Sequence, residues 1–126
     1  RQHLVRAGLE SVAYQMVVYL EFMKKSRNLN LKNLSVDGGM VKNKFFLQLI
    51  SNLLEIELNI PEMEDMSSYG ALLFGMQYYH NLKNTSDLKD FKVKSSKIIP
   101  NIDDTIRNSF ISWKEIVDKH FVKNQD

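Results

Sequence analysis

The chain of 126 residues is 44% hydrophobic and 10% aromatic, enough to bury the core of one compact domain and too short for two. Its 17 basic and 15 acidic side chains leave a formal net charge of +2, and Lys and Arg are scattered rather than gathered into a stripe, which argues against a nucleic-acid partner. The absence of cysteine excludes disulfides, thiolate metal sites and cysteine nucleophiles, and His3, His80 and His120 have no ligand spacing. No apolar run approaches the ~20 residues of a membrane-spanning helix. The expected compartment is the cytoplasm. An amphipathic pattern begins at Arg1 without a leading tail, so the chain is expected to be a segment of a longer polypeptide with no signal peptide.

Apolar residues at Val5, Leu9, Val12, Met16, Leu20 and Met23 step by three and four, the spacing of a helix over residues 3–25. Its end falls in Lys24 to Asn28, where cations suit a helix C-terminus and Asn suits a left-handed cap. A short strand, Leu34 to Val36, stops at Asp37-Gly38-Gly39. Helical spacing then resumes at once through Phe45, Phe46, Leu49, Ile50, Leu53 and Leu54. A second strand, Ile56 to Ile60, is closed by Pro61, which cannot donate to a sheet ladder. Glu62 to Met66 form a polar connector, and Asp65 is placed to cap a helix from about Ser67. That helix carries Gly70, Ala71 and Gly75, small residues expected to approach another backbone closely. After the loop Asn84 to Asp87, residues 91–99 read as an extended arm. Asp103 then caps a last helix with the face Ile106, Phe110, Trp113, Val117 and Phe121.

Strands alternating with helices predict an α/β arrangement with parallel pairing, since a parallel pair needs a crossover. Two clear strands make a poor core by themselves, so strands are expected to be missing on the N-terminal side.

Chemistry concentrates at Ser35 to Asn43, where a strand, a turn without side chains and a helix start follow one another. A helix N-terminus presents free N–H groups and partial positive charge to a polar or anionic ligand. Gly38 permits the sharp turn, Gly39 lets a flat base or phosphate meet the backbone, and Asn43 offers a donor and an acceptor to a heterocycle edge. The same residues also read as a tight turn with no ligand, and Lys42 and Lys44 as solvated lysines.

Several segments resemble one family. His3 to Gln15 is similar to the helix that opens this region in glycerol kinases, and Val36 to Gln48 resembles their adenosine motif. Ile60-Pro61-Glu62 with Ser68 to Gly75 is similar to the following strand, proline and glycine-bearing helix. Ile98 to Asp103 with Trp113-Lys114 resembles their tail. On these motifs, which run in order from end to end, the chain is identified as a member of the FGGY carbohydrate kinase family, with glycerol kinases its nearest branch. The resemblance implies the C-terminal part of a ribonuclease-H-like (actin-like ATPase) domain, with residues 1–126 a partial nucleotide-side domain. Its order would be helix-strand-helix-strand-helix-helix, lacking the N-terminal strands. It also implies ATP or ADP and Mg²⁺ as cofactors, with Gly39 against the nucleotide, Asn43 on the adenine, Gly38 shaping the turn and Asp37 anchoring the strand end. Lys42 stands where a small residue is common in the family, and Tyr69 where a leucine-like one is.

The implied reaction moves the ATP γ-phosphate to a primary hydroxyl. Its catalytic base and main phosphate loops are expected upstream of Arg1, so the chain itself carries no catalytic residue. The implied partners are the missing N-terminal kinase domain and, as is common in the family, further copies of the same protein. A related kinase acting on a pentulose or other polyol, and a non-catalytic remnant acting in protein interaction, are the competing readings. Elsewhere, Glu10 reads as half of a surface ion pair, Phe110, Trp113 and Phe121 as core, and Glu62, Glu64 and Asp65 as a solvated connector rather than a metal cluster.

Overall fold

The computed structural model describes residues 1–63, 65–88 and 93–122, excepting the side chains of Phe121 and Val122. Four α-helices and three strands follow in the order α1 (Gln2–Arg27), β1 (Asn33–Ser35), α2 (Lys44–Leu54), β2 (Glu57–Pro61), α3 (Met66–Tyr79), β3 (Ser95–Ile98) and α4 (Asp104–Val117). The sheet order is β1-β2-β3. As the alternation of elements predicts, β1 and β2 are parallel, with Leu34 opposite Leu58, and α2 makes the crossover.

The expected arm holds a third strand. β3 runs antiparallel to β2, with Leu58 opposite Ile98 and Pro61 opposite Ser95. Its side chains are mostly exposed, so it lacks the apolar alternation that marks a strand in sequence. Phe91 and Lys92, the first residues of the expected arm, lie outside the described residues.

The core is built around α2. Phe46, Leu47, Leu49, Ile50 and Leu54 pack with Ile56 and Leu58 of the following strand segment, with Ala13, Tyr14 and Val17 of α1, and with Phe110 of α4. Tyr14 lies 5.4 Å from the rings of both Phe110 and Trp113, joining the first helix to the last. Burial pushes the Tyr14 phenol above its usual pKa. The turn between α2 and β2 is held by Ser51, fully buried, whose hydroxyl donates to the Ile56 carbonyl at 2.8 Å. Glu55 takes the left-handed conformation there (φ 55°) and accepts a hydrogen bond from Arg107 of α4 at 3.0 Å. Gln48 Nε2 donates to the Ile99 carbonyl, and the Asn101 N–H donates to Asn52, which fastens the segment after β3 to α2.

Two sequence expectations are corrected. On α1 the periodic apolar residues mark the helix but not its buried line, which is Ala13, Tyr14 and Val17; Leu20 packs half-buried against the core, and Val5, Val12, Met16 and Met23 are exposed. The helix is apolar on two sides, so periodicity does not choose between them. On α3, no residue is buried, and a Cβ at Gly70 or Gly75 would meet no heavy atom within 4 Å. The close backbone approach read from those small residues is not made among the described residues.

The expected caps form. Asn28 is left-handed after Lys24, Lys25 and Arg27, Asp103 accepts from the Thr105 N–H at 2.8 Å, and Asp65 accepts from the Ser68 N–H at 2.9 Å. Glu10 pairs with Arg6 at 2.7 Å.

Replacing the fully buried Leu58 by Ala removes the centre of the sheet's apolar face. A loss of about 2–5 kcal/mol is expected from the urea midpoint. At Asp65, the Ser68 hydroxyl and then the Ser68 N–H hold the carboxyl below its usual range. A lowered folded-state pKa means that the cap's contribution is complete above the unfolded value near ~4 and is lost as pH falls through the folded value. The protection of the Ser68 amide, its exchange rate relative to the unstructured rate at the same pH, is therefore expected to fall in that acid window, and Asp65→Asn should flatten the pH response.

Candidate functional site

Because β1 and β2 are parallel, their carboxyl ends open on one edge of the sheet, the place where open α/β sheets receive ligands. The Val36 N–H donates to the Asn59 carbonyl at 2.9 Å and carries the ladder one residue past β1. The chain then turns at Gly38, whose φ of 108° and ψ of 177° belong to a region open essentially to glycine alone. Asp37 Oδ1 accepts the Gly38 N–H at 2.7 Å and fixes the entry to the turn.

The helix does not resume at once. Gly39–Lys42 form a single 3₁₀ turn, closed by the Val41 N–H on the Gly38 carbonyl at 3.1 Å. Asn43 then adopts an extended conformation (φ −90°, ψ 92°), and its Oδ1 accepts the Phe46 N–H at 3.1 Å as the N-cap of α2. Asn favours caps because its side chain replaces a missing backbone acceptor, which delays the helix by one turn. Its amide nitrogen makes no hydrogen bond among the described residues and can donate elsewhere.

A crevice of about 450 Å³ lies between the two strand ends. Asp37, Gly38, Gly39 and Lys42 form one wall, and Pro61 and Glu62 belong to the other. A Cβ at Gly39 would meet nothing within 4 Å, so that backbone is open to a ligand. On the far side of the same turn, Gly38 and Gly39 also border an apolar groove of about 540 Å³, walled by Val12, Met16 and Tyr19 of α1 and by Leu34 and Met40. Asn43 lines neither. It borders a third cleft with Val5, Leu9 and Phe45, where the Arg6 guanidinium stands 5.3 Å from the Phe45 ring centre. The hydrogen bond that Arg6 donates to the Glu10 carboxylate raises the Arg6 pKa further and keeps it charged.

Gly38 and Gly39 are thus brought together at the crevice, with Asn43 one turn away. The second wall, Pro61 and Glu62, went unrecognised in sequence as part of a site. Its signal was the parallel pairing, which sets the residue after β2 beside the residue after β1. No group of three His, Cys, Asp or Glu side chains suited to a metal gathers among the described residues. Asp37 and Glu62 supply two carboxylates, a number that fits Mg²⁺ arriving on substrate phosphates rather than in a protein cage.

The fold is that of an α/β domain with a crevice at the carboxyl ends of its parallel strands. Residues 1–78 match the C-terminal domain of the FGGY family of carbohydrate kinases. The chain belongs to this family, as part of that domain. It is 32% identical over 120 residues to glycerol kinases of Francisella tularensis subsp. holarctica and subsp. novicida, covering 94% of this chain and 24% of theirs. In fold it is similar to Plasmodium falciparum glycerol kinase, solved with ADP (TM-score 0.79, 23% identity, 94% of this chain and 24% of that one). It is also similar to gluconate kinase of Lactobacillus acidophilus (TM-score 0.77, 18% identity, 92% and 24%). The chain spans about a quarter of the length of the relatives it matches. No helix among the described residues is long and apolar enough to cross a membrane.

The two glycines should respond differently to the same change. Gly38→Ala forces a side chain into a glycine-only conformation and is expected to cost about 1–3 kcal/mol. Gly39→Ala places its Cβ in open space and is expected to stay within about 0.5 kcal/mol of the parent. Urea unfolding of the two variants checks the pair.

Proposed function

We propose that this chain is the nucleotide-side part of a cytoplasmic glycerol kinase, an enzyme that transfers the γ-phosphate of ATP to a primary hydroxyl of glycerol. The observation that carries the reading is the 32% identity to glycerol kinases across 94% of the chain, in which the Gly38-Gly39 turn opens on a crevice at the strand ends. Gly38 shapes the turn, Gly39 admits the nucleotide to the backbone, and the amide nitrogen of Asn43 donates to the adenine edge. Mg²⁺, when bound, neutralises phosphate charge, and Asp37 is the crevice carboxylate placed to face it.

The base that takes the hydroxyl proton and the polyol contacts belong to the remainder of such a kinase. Two features support a partner of that kind. The apolar side of α1 is exposed at Val5, Val12, Met16, Tyr19 and Phe22, and β1 pairs on one edge alone among the described residues. Burying such a face is the ordinary way a partial sheet completes its core. A second reading, a family member acting on another polyol or sugar, is favoured by the fold likeness to gluconate and xylulose kinases.

The test is an ADP titration of the intact protein followed by residue-resolved NMR, with glycerol 3-phosphate formation assayed beside it. Shifts should cluster at Gly38, Gly39 and the Asn43 side chain. Asn43→Asp keeps the cap acceptor and removes the amide donor, so ADP affinity should fall about five- to twentyfold without loss of fold. A well-folded intact protein whose spectrum ignores ADP would sink the proposal. Phosphorylation of a different polyol in preference to glycerol would select the second reading.

A further inference from the structure

Resting on the reading of the chain as part of a longer kinase, we infer that the exposed face of α3 is a core surface, covered by the remainder of the same polypeptide. Among the 14 residues of this helix, Met66–Tyr79, there is no Asp, Glu, Lys or Arg. A surface helix keeps a charged side for water, whereas a helix apolar all round belongs inside a protein. Yet no residue of α3 is buried. Its polarity is also turned the wrong way for a surface helix. Gln77 lies half-buried and donates to the Leu82 and Lys83 carbonyls at 3.2 and 2.9 Å, while the rings point to solvent. Ala71, Phe74, Gly75, Tyr78 and Tyr79, at i, i+3, i+4, i+7 and i+8, make one open face, with Phe74 69%, Tyr78 90% and Tyr79 84% exposed. At that exposure the three rings offer on the order of 500 Å², short of the ~800 Å² a side that a stable pair of copies buries. A second copy seated on α3 alone is too small an interface. The chain covers 24% of the length of the glycerol kinases it matches, which leaves about three quarters of such a polypeptide to supply the cover.

The test uses the intact protein carrying Phe74→p-benzoylphenylalanine, irradiated and mapped by mass spectrometry, with Tyr78→p-benzoylphenylalanine as a second position at the helix end. The expected cross-link stays within one chain and joins α3 to peptides outside residues 1–126. A cross-link between two chains, seen as a dimer on a denaturing gel, would overturn the inference, and so would the absence of any cross-link from both positions. Hydroxyl-radical footprinting of the unsubstituted intact protein gives a readout that does not depend on either variant folding. Phe74, Tyr78 and Tyr79 should lose most of their oxidation on folding, and oxidation at the unfolded rate would overturn the inference. The same protein titrated with ADP keeps the two readings apart. Silence toward ADP sinks the nucleotide reading, and the site of the cross-link still decides the packing of α3.

Discussion

The parallel pairing of β1 with β2 constrains everything else in this molecule. Two parallel neighbours cannot be joined by a hairpin, so the chain must cross over one face of the sheet, and α2 is that crossover. Its buried face, from Phe46 to Leu54, then becomes the core. The pairing also fixes where both strands end. The Gly-Gly turn after β1 and the Pro-Glu connector after β2 open on the same edge, and the crevice between them exists for that reason.

The turn at Gly38 to Asn43 answers two demands within a few residues. The backbone must leave the strand sharply, which costs a conformation restricted to glycine at position 38. It must also start a helix whose first N–H groups need acceptors, which Asn43 supplies to Phe46. A single 3₁₀ turn reconciles them, and it sets Gly39 in the open. The capping bond uses only the Asn43 side-chain oxygen, so one side chain can stabilise the helix and keep an amide donor for another group.

Around this centre the molecule is unevenly covered. Tyr14, Phe110 and Trp113 bind the two outer helices to one side of α2, while the other side of α1 carries Met16, Tyr19 and Phe22 in contact with solvent. Helix α3 has no buried residue, keeps Met66, Leu73 and Met76 half-buried, and exposes Phe74, Tyr78 and Tyr79. The chain spans about a quarter of the length of the relatives it matches.

The sequence by itself determined the features that depend on neighbours along the chain. These include the helices and their caps at Asn28, Asp65 and Asp103, the two parallel strands, the Gly38 turn, and the Arg6–Glu10 pair. Each is a short-range matter of spacing, φ or a side chain reaching a backbone group within a few residues. Family membership was legible for a related reason, because the motifs occur in order from end to end. Only the tertiary structure decided which side of α1 is buried, since a helix apolar on two sides gives periodicity no preference. It also decided that β3 pairs with β2, because an exposed strand carries no alternation to read. Most of all, it put Lys42 and Glu62 on opposite walls of one crevice: residues twenty apart in sequence line the same opening only because two strands run in the same direction.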